Sequence, residues 1–453
     1  MVVNEYLGIK QLPPRARHYL RAFLVFQTFS TFLLVLSSTF FVLYSIDRIG
    51  FALTSFTLSF LFLVQLLTDY PSGSLGDWIG QRWVLVISYI SYGIAFFLTM
   101  FAQSFTSFMI IAFFNGFGNA QNSGALGTWL DNNYKRVIGD ADSERKVYGF
   151  STSRVTTMTR VASAFSFIIG GALATAISRE FVFGFQSVFI ILVIILVLAL
   201  IRDEKVKENL ETSTVAQKSS NGYLTYLVGG IKFLVSNKGP FFFIIGTALY
   251  FSAISIWGSI ILIPLYFGYT GSDALASTLR TLAFVVGVPI SIYIAKVSQR
   301  FNKDKAPHAT FGFVILFFPG FVVLTFLVPV SNEFNLIGCA VTIILLNGII
   351  PTLGDLGNIL RQRVIIDMVN SENRNAVYSL IPSIVSILGI FLLPISGILI
   401  EEYSLTAGIA AALVVGLLAT VMIMIGMHFY KLETSKKVDE RAIQLSEISL
   451  PGP

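Results

Sequence analysis

Gly73-Ser74-Leu75-Gly76-Asp77-Trp78-Ile79-Gly80-Gln81-Arg82 is a short polar stretch between two long apolar runs, at about 52–72 and 83–103. Each run is long enough to cross a bilayer, which takes about 20 helical residues. A connection this short forces two such helices to lie antiparallel. Its glycines, its acid and its arginine suit tight packing and charge pairing.

The composition sets the class. Hydrophobic residues make up 55% of the 453 residues and charged residues only 12%, against about 25% charged in soluble domains. Such a chain cannot cover itself with a polar surface, so lipid is part of its solvent. A lone cysteine, Cys339, excludes an intrachain disulfide. His18, His308 and His428 are too scattered for a metal site, and neither a metal nor another cofactor is expected.

Working outward, apolar runs lie at about 22–45, 52–72, 83–103, 106–128, 155–178, 183–201, 240–266, 276–297, 308–329, 336–358, 376–399 and 405–427. Lipid admits only helices and closed barrels, and continuous runs of this length predict helix. The first run is too long for a signal-peptide core and is read as a retained helix. With the N-terminus inside, 27 of the 31 basic residues fall on inside segments; Arg48 and Arg179 lie outside, and Arg160 and Arg280 within spans. The positive-inside rule then places both termini in the cytoplasm and the chain in the plasma membrane. The net charge of +6 is thus a topology signature, and no nucleic-acid partner is expected.

The chain divides in the middle. Residues 1–201 read as a six-helix bundle and 240–428 as a second. Between them, 202–239 is a charged, Ser/Thr-rich linker whose stretch 223–235 has an amphipathic pattern. The tail, 429–453, is polar and reads as disordered. The halves look duplicated. Asn115-Gly116 answers Asn347-Gly348 at an offset of 232, Gln81-Arg82 answers Gln299-Arg300 at 218, and Gly171 answers Gly397 at 226. The expected fold is all-α: twelve transmembrane helices in two pseudo-symmetric bundles.

At this point the sequence resembles the major facilitator superfamily of transporters. Gly73-x-Leu75-x-Asp77-x-x-Gly80-x-Arg82 matches that family's signature turn, and Asp69-x-Pro71-x-Gly73 its acidic lead-in. Asn370-Ser-Glu372-Asn-Arg374-Asn-Ala376 is similar to its entry to span 11, and Gly397-Ile-Leu to the exit. Leu130-Asp131 through Gly170-Gly171 resembles a prokaryotic, drug-efflux-like branch. The chain departs from that branch's antiporter motifs: Ala112 stands where an arginine precedes Gly116, and Gly170-Gly171 lacks a following proline. The second-half turn has Ala295-Lys296 where the first has Asp77-Trp78. The resemblance implies a secondary transporter, not an enzyme. Asp69, Gly73, Asp77, Gly80, Arg82 and Asp131 would form its gating machinery, with Asp77 at the start of span 11 and Arg82 paired to Asp131.

The remaining polar residues inside spans are the candidate substrate contacts. Asn115, Asn119 and Asn122 share one face of span 4, and Thr156, Arg160 and Ser163 one face of span 5. Gln27, Ser30 and Thr31 form a patch on span 1. Tyr250 and Trp257 on span 7, Arg280 near the outer end of span 8 and Asn347 on span 10 complete the set. Each has a plain alternative in helix packing or hydrogen bonding; Arg160, a turn from the inner end of its run, could instead snorkel. Asp355 is the deepest carboxylate and the candidate for proton coupling. No Gly-x-x-x-x-Gly-Lys turn is present, which disfavours an ATP-driven pump. The expected activity is alternating-access transport, by a monomer, of an amphipathic or hydrophobic solute for export. The alternatives are an organic anion held by Arg160 and Arg280, or a sensor without flux.

Overall fold

The computed structural model describes residues 2–138, 142, 145–202, 229–328, 336–369 and 371–448, and no strand occurs among them. The first half holds α1 (Pro14–Val35), α2 (Phe41–Ile79), α3 (Gln81–Thr99), α4 (Phe105–Ile138), α5 (Lys146–Ala176) and α6 (Arg179–Leu200). The second holds α7 (Lys238–Ile256, a π turn Trp257–Ile261, then Leu262–Thr270), α8 (Asp273–Val297) and α9 (Ala306–Leu327). It continues with α10 (Leu336–Ile344, a π turn Leu345–Ile349, then Pro351–Met368), α11 (Ser371–Glu402) and α12 (Leu405–Ile448). Eleven of these helices are long and apolar enough to cross a membrane. The exception is α4, whose apolar face is diluted by Asn115, Asn119, Gln121 and Asn122. One buried apolar core fills the first half, and two neighbouring cores fill the second.

Several boundaries differ from the sequence reading. The opening stretch is mostly helix. Residues 73–79 complete α2, and Gly80 alone reverses the chain, at φ 90° and ψ 148°. A side chain would be strained at that φ. The first apolar run is cut at 36–40, so Asp47 and Arg48 lie inside α2 rather than in a loop. Apolar residues on both sides of Ser37-Ser38-Thr39 had hidden that turn. α5 begins at Lys146, which puts Arg160 at its middle and not near its end. α10 continues to Met368, so Arg361 and Arg363 are helical, not loop residues. The tail is helical through Ile448; Lys, Glu, Arg, Ala and Leu favour helix there, and no Gly or Pro interrupts before Pro451. Of the amphipathic stretch, 223–228 lies outside the described residues.

The duplication is visible in atomic contacts. A Cβ on Gly116 would meet the Leu61 carbonyl on α2, and one on Gly348 the Ala283 carbonyl on α8. A Cβ on Gly171 would lie 2.2 Å from Ser277 Oγ of α8, and one on Gly397 2.0 Å from Ser55 Oγ of α2. Ser123 Oγ donates to Asp69 on α2 at 2.7 Å, and Ser291 Oγ on α8 donates to Asp355 at 2.5 Å. In all three comparisons the α2 and α8 partners, Leu61/Ala283, Ser55/Ser277 and Asp69/Ser291, differ by 222 positions.

The halves are joined on the side away from the 73–82 turn, here called distal. α2 breaks at Gly50 (φ 78°) and restarts. The freed Ala52 N–H donates to the Glu401 carboxylate of α11 at 2.6 Å. A carboxylate is favoured there by the helix dipole. Arg179 holds Asp273 through two bonds, at 2.8 and 3.0 Å, and Asp47 at 2.5 Å. Thr175 Oγ1 accepts from Ala274 N–H, and Ser59 Oγ donates to the Ile390 carbonyl. On the turn side the bonds stay within each half: Arg82 to the Leu198 carbonyl, Asp131 to Arg145, Lys303 to Asp367 and Lys431 to Asp304. Among the described residues no hydrogen bond or ion pair joins the halves there.

At the start of α5, Asp142 is buried and accepts from Tyr148 N–H, Val147 N–H and Tyr134 OH. Burial alone pushes its carboxyl up, and the amide bonds from Tyr148 and Val147 outweigh that and hold it below its ordinary value. A lowered folded-state value stabilises the fold above about pH 3.9, the unfolded value, and the gain disappears as pH falls through the folded one. Asp142→Asn should weaken this helix start by about 1 kcal/mol at neutral pH, read as faster amide exchange at 147–150. The difference from wild type should shrink in acid.

The distal bonds make a second prediction. In a Cys339→Ser background, Ser59→Cys lies behind the closed side and should react slowly with an impermeant thiol reagent added from that side. Adding Glu401→Gln should raise the rate about tenfold, the scale of one charge-assisted bond. An unchanged rate would show that the Glu401 bond does not hold the seam.

Candidate functional site

A cavity of about 340 Å³ opens between α1, α4 and α5, lined by Phe23, Gln27, Asn122, Ser123, Thr156 and Thr159 among others. Gln27 and Asn122 are two of the residues singled out in the sequence, and Thr156 belongs to the stripe on α5. Thr31 and Asn115 are half-buried on the same two helices. Asn119 turns away and accepts from Tyr92 OH at 2.7 Å, tying α3 to α4. Ser30 is buried and donates back to the Gln27 carbonyl. Of the three asparagines of the stripe, Asn122 thus lines the cavity and Asn119 serves packing.

The cations are less evenly partnered. Arg160 is exposed at the middle of α5 and has no bonding partner among the described residues. Arg280 crosses the seam. Its Nη1 reaches Ser38 and Thr39 at 3.2 and 3.3 Å, and its guanidinium lies 3.9 Å from the ring centre of Phe167. All three partners belong to the first half, and none is charged. The seam cation nearest to it in the chain, Arg179, has two carboxylates instead.

The second half holds its predicted residues by packing. Tyr250 and Trp257 are only 4% exposed. Trp257 sits against Phe317 and Phe321 at the π turn of α7. Asn347, in the π turn of α10, donates to Tyr266 OH at 2.5 Å. Single π turns recur at functional sites and shift the helix face by one residue. Asp355 is exposed, with the Ser291 bond as its contact. Asp131 pairs with Arg145 at 2.7 Å, and Arg82 donates to the Leu198 carbonyl, so the expected Arg82–Asp131 pair does not form. α4 continues past Asp131 and the chain returns at Arg145, which reaches the acid first. The side chain of Asp77 and the start of α11 lie outside the described side chains.

One residue was missed. Arg361 is fully buried, donates Nη1 to Thr310 at 2.6 Å and lies 3.9 Å from the ring centre of Tyr250. Its Nε and Nη2 have no partner. The equivalent place in the first half, 232 positions earlier, is Trp129, whose ring packs edge-on to Tyr19 at 5.6 Å. Trp129 is satisfied through Nε1 to the Arg202 carbonyl. A neutral ring therefore fills in one half what a cation fills in the other. In sequence Arg361 looked like a loop residue, and only the unbroken 351–368 pattern could have placed it in a helix.

Residues 19–355 match the family model described as Major Facilitator Superfamily. No curated protein matches the sequence. Among solved structures, the nucleoside transporter NupG is similar over 92% of this chain and 100% of its own, at 16% identity and a TM-score of 0.68. The peptide transporter POT in complex with sulfate covers 91% of this chain and 94% of its own, at 13% identity and a TM-score of 0.61. A POT family transporter in complex with 5-aminolevulinic acid covers 90% and 95%, at 11% identity and a TM-score of 0.62. At such identities the likeness is one of fold. The family model spans most of the chain, and with the paired bundles and the signature segment it shows that this protein is a multi-pass membrane transporter of the Major Facilitator Superfamily.

Proposed function

We propose that this transporter carries a small organic solute with an anionic group and an apolar body, by alternating access at a site between residues 1–201 and 240–428. The observation that carries this reading is Arg280, a seam cation bonded only to hydroxyls and a ring. A charge inside a membrane protein is costly unless it is paired, and such residues mark solute pathways. Arg160, exposed on α5 without a partner among the described residues, follows the cavity-lining Thr159 in the chain and supplies a second cation. Gln27, Asn122 and Thr156 offer hydrogen bonds, and Phe23 and Leu126 an apolar wall. An amphipathic anion uses both kinds of lining. A purely hydrophobic solute for export would leave the amides and the arginines unused.

In this reading the 73–82 segment and both termini lie on the cytoplasmic side of the cell membrane, a placement the distribution of Lys and Arg supports. Protons couple through Asp355, which takes a proton from the open side while its Ser291 bond loosens. The protein works as a monomer, the 202–239 linker lets the halves rock, and Asp77 and Arg82 take part in gating.

Proteoliposome uptake of a panel of organic anions and matched neutral amides tests the substrate class. Arg280→Gln should raise KM for the anions by about tenfold or more, as loss of a charge-assisted contact does, and leave the neutral solutes alone. Equal effects on both series would sink the anion reading. Asp355→Asn should abolish stimulation by a pH gradient; full stimulation in that variant would exclude Asp355 as the coupling group.

A further inference from the structure

A second cavity, of about 480 Å³, lies on the turn side between the end of α8 and the end of α10. It is lined by Phe301, Asn302, Lys303, Arg363, Ile366 and Asp367. It belongs to the second half alone and lies apart from the solute cavity between α1, α4 and α5.

Three observations define what it would hold. First, it is cationic. Lys303 is paired with Asp367, whereas Arg363 donates to the Ser298 carbonyl at 3.0 Å, the Phe301 carbonyl at 3.4 Å and Ser298 Oγ at 3.2 Å. Arg363 thus closes the end of α8 without any carboxylate, and its positive charge is left unbalanced. Second, its rim is mixed. Phe301 and Ile366 are exposed large apolar side chains, beside the charged groups. That combination fits the boundary between acyl chains and headgroups, where basic pockets between helices take lipid headgroups. Third, the corresponding segment of the first half carries Asp77, and here Ala295-Lys296 stands in its place. The acid is gone from this place; among the described residues here, Lys303 pairs with Asp367 and Lys431 with Asp304, and Arg363 has no carboxylate partner.

We propose that this cavity binds the phosphodiester headgroup of an anionic membrane lipid. Lys303 and Arg363 supply the charge, Asn302 a hydrogen bond, and Phe301 and Ile366 the contact with the first acyl carbons. Asp367 competes with the phosphate for Lys303. The lipid would brace the end of α8 against the end of α10 on the turn side.

The test uses the full-length protein in nanodiscs of phosphatidylcholine with a minor fraction of phosphatidylglycerol, followed by native mass spectrometry of the lipids retained. Wild type should keep phosphatidylglycerol in preference. Lys303→Gln should lower that preference about fivefold, the effect of one cation near an anionic surface. Asp367→Asn, which frees Lys303 without touching the α8 end, should raise it. Arg363→Lys keeps the charge and should keep the preference. Equal retention by wild type, Lys303→Gln and Asp367→Asn would overturn the proposal. So would displacement of the lipid by soluble glycerol phosphate, which would show a site for free phosphate instead.

Discussion

Everything in this molecule depends on two helix crossings that tolerate no side chain. Gly171 lets α5 meet α8, and Gly397 lets α11 meet α2. At each crossing a serine hydroxyl occupies the space a Cβ would need, and a backbone carbonyl, of Asp273 or of Phe51, lies just behind it. Such close approach is how helices associate where water provides no drive between them. The crossings are the pivots of the seam. They bring Arg179 to Asp273, Glu401 to the break in α2, and Arg280 to the 38–39 turn. A larger residue at either glycine would separate all of these at once.

Much of the architecture was legible because the bilayer simplifies the code. Length and apolarity marked nearly every helix, and three short matches marked the duplication. What failed did so for local reasons. Ser37-Ser38-Thr39 turns the chain inside a continuous apolar run, and hydropathy averages over it. Arg361 and Arg363 looked soluble because charged residues were taken as the end of a span. The pairing of Asp131 depended on where α5 begins, which a charged loop conceals. The asparagine stripe on α4 was readable as a stripe, but spacing could not tell that Asn119 faces Tyr92 while Asn122 faces the cavity.

The two halves agree in backbone and differ in charge. Tyr19 packs on a tryptophan where Tyr250 packs on Arg361. A buried guanidinium without a carboxylate is a poor way to fill a core, since desolvating it costs several kcal/mol. Trp129 shows that the place itself does not need the charge. The second half also carries both π turns, the unbalanced Arg363 and the seam arginine Arg280. The first half contributes the polar cavity wall. The repeat has diverged: the first half lines its cavity with amides and hydroxyls, while the second buries a guanidinium in its core.

The serine–aspartate pairs take this further. The acid sits on α2 in the first half and on α10 in the second, with serine at the other member of each pair. The backbone repeats, yet the donor and the acceptor have changed places. The carboxylate therefore stands on opposite members of the two matching helix pairs, which breaks the electrical equivalence of the halves. For the solute proposed above, the two halves would then present fields of different direction, and its two ends would not be interchangeable.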